Sequence, residues 1–184
     1  MINHIQGLFQ EKIKIWHIVC LFLFAQLIYL VMMTYTFPII QQNSGTMKAM
    51  DLMSMGYSYD YVQAFLATLS PTSLNTYLFF QLPLDILFPL ATSLTFSMII
   101  AKTTPLGNKL FLVGFIPMLF DYLENSCILI MLTSNQITHS LVSLSSFFTL
   151  MKSVTTMIMY LLITILLILF FKNNKTKNPL DKSC

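Results

Sequence analysis

The sequence predicts an all-α fold: an integral membrane four-helix bundle with a surface amphipathic helix in its first outer loop. The composition indicates this, because 56% of the 184 residues are hydrophobic and only 9% are charged. Soluble domains are about one quarter charged, and disordered chains combine low hydrophobicity with high net charge, so both classes are excluded. Four apolar stretches also reach the length of about 20 residues that a helix needs to cross a bilayer. We therefore expect a single membrane domain over residues 1–184.

The first predicted span covers residues 15–36 and follows two lysines. Phe37 and Pro38 close it, because proline has no N–H and disfavours continuation of a helix. A basic flank before an apolar segment also begins a signal peptide, but this segment is too long and no small-residue cleavage site follows it. We therefore predict that the span is retained. Ahead of it, residues 2–13 have helical apolar spacing, which indicates either a short interfacial helix or a frayed start of this span.

The segment 37–73 is the predicted outer loop, because its charged and amide side chains cannot lie in hydrocarbon. Within it, apolar residues repeat at i, i+3, i+4 and i+7, which predicts an amphipathic helix at about 59–69 with Ser58 as its N-cap. Three tyrosines near its start are typical of the interfacial aromatic belt. We expect this helix to rest on the membrane surface or to cap the bundle. The apolar repeat is Val62, Phe65, Leu66 and Leu69, and the tyrosines are Tyr57, Tyr59 and Tyr61.

The other three spans are predicted at about 74–101, 110–132 and 141–171. The second span carries Pro83 and Pro89, and a proline inside a helix frees backbone carbonyls that neighbouring helices must satisfy. We therefore expect this span to be kinked and packed inside the bundle. A short basic turn joins the second and third spans, and an uncharged polar loop joins the third and fourth.

The lysines predict the orientation of the chain. Eight of the ten lie on one side of this arrangement: before the first span, in the turn between the second and third spans, and in the tail at 172–184. Because lysine is enriched in cytoplasmic segments, we expect a cell (inner) membrane protein with both termini in the cytoplasm. The eight are Lys12, Lys14, Lys102, Lys109, Lys172, Lys175, Lys177 and Lys182.

A candidate polar cluster comes from the few ionisable residues within or beside the spans, namely Asp85, Asp121, Glu124 and Lys152, with Asn125 next to Glu124. Charges inside a bilayer are costly, so they usually face the interior of a bundle and pair with one another. Counting about 20 residues from the cytoplasmic lysines places all four charged residues in the outer half of the membrane. We therefore expect them to meet.

Two carboxyl groups of this cluster share one helix face, because Asp121 and Glu124 are spaced i, i+3. At low dielectric they repel each other unless a proton or Lys152 neutralises them. Such a group can relay protons, act as an acid/base pair or anchor a cationic ligand. Alternatively, the cluster is a buried network that fixes helix packing, and Lys152 extends to the membrane interface.

Other kinds of site find little support in the sequence. The three histidines lack metal-ligand spacing, and no cofactor-binding motif occurs, so we predict neither a metal nor a cofactor. The chain has no arginine, which argues against a nucleic-acid partner. Cys20, Cys127 and Cys184 form no disulfide framework. The expected partner is a membrane lipid, with a second membrane protein as the alternative.

Two resemblances rest on particular stretches. The first is carried by Gly56-Tyr57-Ser58 through Gln81-Leu82-Pro83-Leu84-Asp85 with Pro89, and by Phe120-Asp121-Tyr122-Leu123-Glu124-Asn125. These stretches resemble a group of small bacterial four-helix inner-membrane proteins of unassigned function, and the resemblance implies no activity. The second, weaker resemblance is carried by Tyr77 to Pro89, which is similar to the second span of the sterol-isomerase-like (EXPERA) fold, in which intramembrane acidic residues engage a cationic or carbocationic lipid. That family has an acidic residue at the end of its first span, where this chain has Met32-Met33-Thr34-Tyr35-Thr36.

Three functions remain open at this point. The cluster could bind a lipid or a partner helix, it could serve a small lipid-modifying or isomerising enzyme, or the chain could be an accessory subunit in transport. A pocket that opens sideways and is lined by the cluster would favour a binder or an enzyme, whereas ion pairing without a cavity would favour a structural network. A transporter would need a polar path that continues from Asp121 towards the cytoplasm.

Overall fold

The computed structural model describes residues 14–45, 47–105, 109–134 and 136–177, together with residues 4, 5, 7, 11 and 12. Side chains are described as far as Lys172. The predicted interfacial helix at 2–13 therefore lies largely outside the described residues. Throughout the described ranges every regular element is helical, and four helices are long and apolar enough to cross a membrane, which confirms the predicted multi-pass, all-α character.

Five helices organise the described chain: α1 (Ile15–Ile40), α2 (Tyr59–Thr68), α3 (Pro71–Thr103), α4 (Lys109–Thr133) and α5 (His139–Lys177). Helices α1, α3, α4 and α5 are long and apolar enough to span a membrane, and α2 is the short helix in the first long connection. The end at which α1 is connected to α2, and α4 to α5, is called the loop end. The opposite end, where α1 begins and α3 ends, is called the terminal end.

The first span continues four residues beyond its predicted end at residue 36. A π-helical turn at Met32–Thr36 is followed by one α-helical turn at Phe37–Ile40, and Pro38 lies at the start of that turn. Pro38 has no N–H to donate to the preceding turn, and the π-helical turn before it changes the hydrogen-bond register of the helix. Helix α1 therefore continues through Pro38, and the connection begins after Ile40 rather than at the predicted residue 37.

The second span also contains a π-helical turn followed by a proline near its loop end. It begins at Pro71 rather than at about residue 74, and the Ser70 hydroxyl caps it by accepting a hydrogen bond from the Ser73 N–H at 3.1 Å. A π-helical turn at Tyr77–Gln81 precedes the α-helical segment in which Pro83 is an initial residue. The two π-helical turns pack together, and the Thr36 hydroxyl donates a hydrogen bond to the Gln81 side-chain carbonyl.

Helix α2 agrees with the sequence pattern. Its N-cap is Ser58, whose side chain accepts a hydrogen bond from the Tyr61 N–H at 3.2 Å. Val62 and Phe65 are fully buried in the apolar cluster of the loop end. The ring of Tyr59 stacks on the ring of His139 with 3.7 Å between centroids, which fastens α2 to the start of α5.

Helix α3 is central to the packing, and α5 is peripheral. Of the most apolar 18 residues of each helix, 61% are buried in α3 and 11% are buried in α5. Helix α1 packs against α3, and α4 packs against both α3 and α5. Two apolar clusters result, one at each end of the helices. The predicted polar cluster lies between them.

Candidate functional site

Lys152 of α5 lies between two carboxylates of α4. Its Nζ is 3.3 Å from Oδ1 of Asp121, and it forms a second ion pair with Glu124. The i, i+3 spacing places both carboxylates on the face of α4 that packs against α5, and all three side chains are largely buried. Lys152 therefore pairs with the two carboxylates, and the alternative that it extends to the interface is not what the structure has.

Asn125 connects this ion-pair group to Asp85. Its side-chain amide donates to Oδ1 of Asp121 at 3.3 Å and to the backbone carbonyl of Asp85 at 3.2 Å. That carbonyl would normally accept the N–H of residue 89, which is proline and has none. Pro89 thus frees a carbonyl on α3 that α4 satisfies, which is the consequence expected of proline in a spanning helix.

Asp51 also belongs to the site, although the sequence reasoning assigned it to the outer loop. It lies in a 3₁₀ turn at Met50–Leu52, and Tyr77 donates a hydrogen bond to its Oδ2. Ala49 and Met50 beside it are fully buried, which draws the turn inwards. The apolar stretch 49–53 around Asp51 is the signal that could have identified it.

A cavity of about 230 Å³ lies next to these groups. It is partly open, and its wall is formed by residues of α1, α3, α4, α5 and the Asp51 turn. Glu124 and Asn125 do not line it. The lining residues are Tyr29, Met32, Phe37, Asp51, Leu52, Asp85, Phe88, Asp121, Lys152, Ser153 and Thr156.

Asp85 presents an unsatisfied acceptor at this cavity. Its side chain is buried, and Oδ2 has no hydrogen-bond partner among the described residues. Asp51, whose Oδ1 also has no hydrogen-bond partner among the described residues, lines the same cavity. A buried polar atom without a partner costs about 1–3 kcal/mol, so this arrangement favours a bound proton, water or ligand at the cavity.

The formal charges of the site do not balance. Four carboxylates at −1 each and one ammonium at +1 sum to −3; they are Asp51, Asp85, Asp121, Glu124 and Lys152. Uncompensated charge in a low-dielectric interior is expensive. The site therefore needs additional positive charge, either as protons on the carboxylates or as a cation.

Two hydrogen bonds between hydroxyl-bearing side chains lie on the loop-end side of the ion pairs. The Thr149 hydroxyl donates to Oε1 of Glu124 at 2.6 Å, and the Tyr57 and Ser145 hydroxyls are hydrogen-bonded to each other at 2.6 Å. Burial raises the pKa of Tyr57 above its ordinary value, so it remains a neutral hydroxyl. Gly56 lets this segment approach α5: its φ is +82°, and an added Cβ would lie 2.5 Å from the Ser146 hydroxyl oxygen.

Towards the terminal end the polar groups become sparse. A second cavity of about 40 Å³, large enough for one or two water molecules, is lined by Asp121, Thr92, Ser93 and Thr156 among apolar residues. Beyond it lies an apolar cluster, next to the buried hydroxyl side chains of Thr95 and Ser97 on α3. Its buried members are Phe96, Ile100, Ala101, Phe111, Met159 and Ile163.

The described residues contain no group of three or more His, Cys, Asp or Glu side chains arranged to hold a metal ion. Cys20 and Cys127 are free thiols. Comparisons of the chain with protein-family models, with curated protein sequences and with solved structures find no match.

Proposed function

We propose that this chain is a multi-pass four-helix bundle that binds an amphiphilic ligand, with the protonated amine of the ligand held in the cavity between α1 and α5. The excess of carboxylates over lysine is the single observation that carries this proposal. A cationic head group supplies the missing positive charge and gives the unsatisfied Oδ2 of Asp85 a hydrogen-bond donor.

The size of the cavity supports a head group rather than a whole lipid. Pockets that enclose a drug-sized ligand measure about 300–1,000 Å³, whereas this one measures about 230 Å³. The alkyl chain of the ligand would lie outside the cavity, along the apolar surfaces of α1 and α5. Such a ligand would enter sideways from the membrane.

Two aromatic rings at the cavity support a cation as the occupant. Tyr29 and Phe88 form a tilted pair with 5.7 Å between ring centroids, and both line the cavity. The negative face of an aromatic ring attracts an ammonium group by about 0.5–2 kcal/mol, more when water is excluded.

Equilibrium binding of a radiolabelled long-chain primary amine to the protein in phosphatidylcholine nanodiscs tests the proposal. The amine should bind, and the alcohol and carboxylic acid of the same chain length should not compete. Asp85→Asn should weaken amine binding by about tenfold or more, because a charged hydrogen bond contributes about 1.5–3 kcal/mol. Asp60→Asn, at an exposed position of α2, is the matched control and should bind normally. Equal binding of the amine, the alcohol and the carboxylic acid contradicts the proposal, and so does normal amine binding by Asp85→Asn.

We also propose that the chain lies in a cell (inner) membrane with its termini in the cytoplasm and its loop end outside. The positions of Lys14, Lys102 and Lys109 at the terminal end support this orientation. A single cysteine at exposed Met55, in a variant with no other cysteine, should react with a membrane-impermeant thiol reagent in intact spheroplasts. Protection of this cysteine until the membrane is opened contradicts the orientation.

A second candidate is a lipid-isomerising enzyme, favoured by the two carboxyl groups, Asp51 and Asp85, that line one cavity. One carboxylic acid would protonate a carbon–carbon double bond, and the neighbouring carboxylate would remove a proton from the adjacent carbon. The resemblance to the sterol-isomerase-like fold stays a prediction that agrees with this candidate. Turnover in D₂O would introduce deuterium into the product, and both Asp51→Asn and Asp85→Asn would abolish that incorporation. A binding protein introduces none.

The two remaining alternatives have less support. A transport role needs a polar path to the terminal end, and in the described residues the small cavity beyond Asp121 stops at an apolar cluster. A purely structural network agrees with the ion pairs of Lys152, and it requires a proton or a water molecule at the unpaired Oδ2 of Asp85. In that case Asp85→Asn would stabilise the protein and change no binding.

A further inference from the structure

We propose that an apolar cavity at the terminal end, called the terminal cavity below, binds one anionic phospholipid. The phosphate lies next to Lys102, and the acyl chains lie against the apolar wall of the cavity. This site is independent of the cavity proposed for the amine, because it lies at the opposite end of the helices and takes a ligand of opposite charge.

The terminal cavity lies among three helices that do not follow one another in the chain. It measures about 620 Å³, is partly open, and is lined by residues of α1, α3 and α5. Helices α1 and α5 each pack against α3, but in the described part of the chain they make few close approaches to each other. The cavity occupies the resulting gap. Its apolar lining includes Ile15, Ile18, Ile99, Leu167 and Phe170.

The chemistry of the wall favours hydrocarbon. Most lining residues are apolar, and the two threonines among them use their hydroxyl protons within α3. Thr103 donates to the carbonyl of Ile99 at 2.9 Å, and Thr104 donates to that of Ile100 at 2.7 Å. Because apolar surface is better covered by hydrocarbon than by water, acyl chains suit this wall. The volume also lies within the range of about 300–1,000 Å³ that is usual for ligand pockets.

Positive charge is concentrated at this end of the same three helices. Lys102 lines the cavity itself, Lys14 directly precedes α1, and Lys172 directly follows the lining residues of α5. Helices α1 and α5 contain no Asp or Glu, and Asp85 of α3 lies about 25 Å from Lys102 along that helix. Of the acidic residues that the structure describes, only Glu11, which is exposed, precedes α1. An anionic head group is therefore attracted to this end, and a cationic one is disfavoured.

The depth of the terminal cavity fits a phospholipid. Trp16, next to the lining residue Ile15, is 57% exposed, and tryptophan is enriched where a membrane meets water. Lys102 lines the same cavity as Ile15, so its ammonium group lies near the level of lipid phosphates. The apolar lining residues Ile18 and Ile99 are each about one helical turn further into the membrane, where acyl chains begin.

Trp16 also supplies the probe, because the chain contains one tryptophan. Quenching of its fluorescence by brominated lipids in nanodiscs gives the binding of phosphatidylglycerol relative to that of phosphatidylcholine beside Trp16. The wild-type protein should favour phosphatidylglycerol by about fivefold or more, which is the effect of about one lysine near an anionic head group. Lys102→Gln should lower this preference by roughly threefold to fivefold.

Matched controls exist for charge and for shape. Lys109 is a lysine of the terminal end, but it begins α4, which does not line the cavity, so Lys109→Gln should keep the preference. Leu167→Phe narrows the cavity without a change of charge and should also lower the preference. Leu169→Phe, at an exposed position of α5 outside the lining, should behave as the wild type.

The contrary results are distinct. Equal quenching by the two lipids in the wild-type protein overturns the proposal. So does an equal loss of preference in Lys102→Gln and Lys109→Gln, which would report attraction to the whole membrane surface. An unchanged preference in folded Leu167→Phe overturns the cavity as the place of the acyl chains. If Leu167→Phe does not fold, the comparison of Lys102→Gln with Lys109→Gln decides. Failure of amine binding with this preference intact would refute the amine site alone.

Discussion

The two ends of this helical assembly are held together by different interactions. Each end has an apolar cluster. Beside the cluster of the loop end, ion pairs and side-chain hydrogen bonds also join α3, α4 and α5 around a cavity that α1 and the Asp51 turn help to line. Beside the cluster of the terminal end the packing is close, and an added Cβ at Gly114 would lie 2.5 Å from the Ser97 hydroxyl oxygen. The loop end therefore adds a charged site to its packing, whereas the terminal end relies on close packing.

The membrane explains why this difference matters. Burying apolar surface between helices gains little when lipid tails are the alternative, so helix association depends on close packing and on polar contacts. The terminal end relies on the first of these, and the loop end combines both. Substitutions at the two ends should therefore have different consequences for stability and for ligand binding.

The largest expected effect is at Lys152. Lys152→Met leaves Asp121 and Glu124 without their counter-charge, and breaking a buried pair in this way costs about 3–5 kcal/mol. Thermal unfolding in detergent measures the loss. The double variant with Glu124→Gln should recover part of the stability, because one of the stranded charges is gone. A double variant that is no more stable than Lys152→Met alone would show that charge is not the cause.

The next effect is at Gly56, where the loop contacts α5. Gly56→Ala combines an unfavourable positive φ with overlap against Ser146 and should cost about 2–4 kcal/mol. Gly45→Ala is a matched control, because its φ is +64° but an added Cβ would have no neighbour within 4 Å. It should cost about 1 kcal/mol. Equal costs for the two variants, measured by thermal unfolding, would show that the loop is not seated on α5.

A smaller effect is expected at the terminal end. Gly114→Ala places a methyl group 2.9 Å from the backbone nitrogen of Ser97 and should cost about 1–3 kcal/mol. Because Gly114 is remote from the cavity, the folded protein should bind the long-chain amine with unchanged affinity. Loss of amine affinity in this variant would mean that the two ends are coupled rather than separate.

The smallest effect concerns the cap of α2. Ser58→Ala removes the hydrogen bond to the Tyr61 N–H and should cost about 1 kcal/mol. Hydrogen exchange should become faster in α2 and remain unchanged in α4. Faster exchange spread evenly over all the helices would show that α2 is not a locally stabilised element.

The sequence predicted more of the architecture than of the site. Long apolar segments and the Ser58 cap are local signals, so the four spanning helices and α2 were recognisable, with ends shifted by at most six residues. Pro89 correctly indicated a free carbonyl on a packed helix. Proline as a stop signal was misleading at Pro38, because a π-helical turn before it lets α1 continue.

The site was only partly visible, for a physical reason. Asp121, Glu124 and Lys152 are charges in apolar segments, which is a strong signal on its own. Asp51 lies in a polar connection and reaches the cavity through tertiary packing of Ala49 and Met50, which no periodicity reports. Without Asp51, the charge imbalance that suggests a cationic ligand is smaller.

The central claim is that the loop-end cavity holds the amine, and photo-crosslinking tests it most directly. The terminal end has a larger, more apolar cavity of about 620 Å³, lined by residues that include Ile15, Ile99 and Leu167, which is the natural competitor for an amphiphile. A long-chain amine with a photoreactive group next to its nitrogen should label peptides around Tyr29 and Ser153, and Asp85→Asn should abolish that labelling. Labelling confined to the terminal-end cavity, or unaffected by Asp85→Asn, would contradict the account.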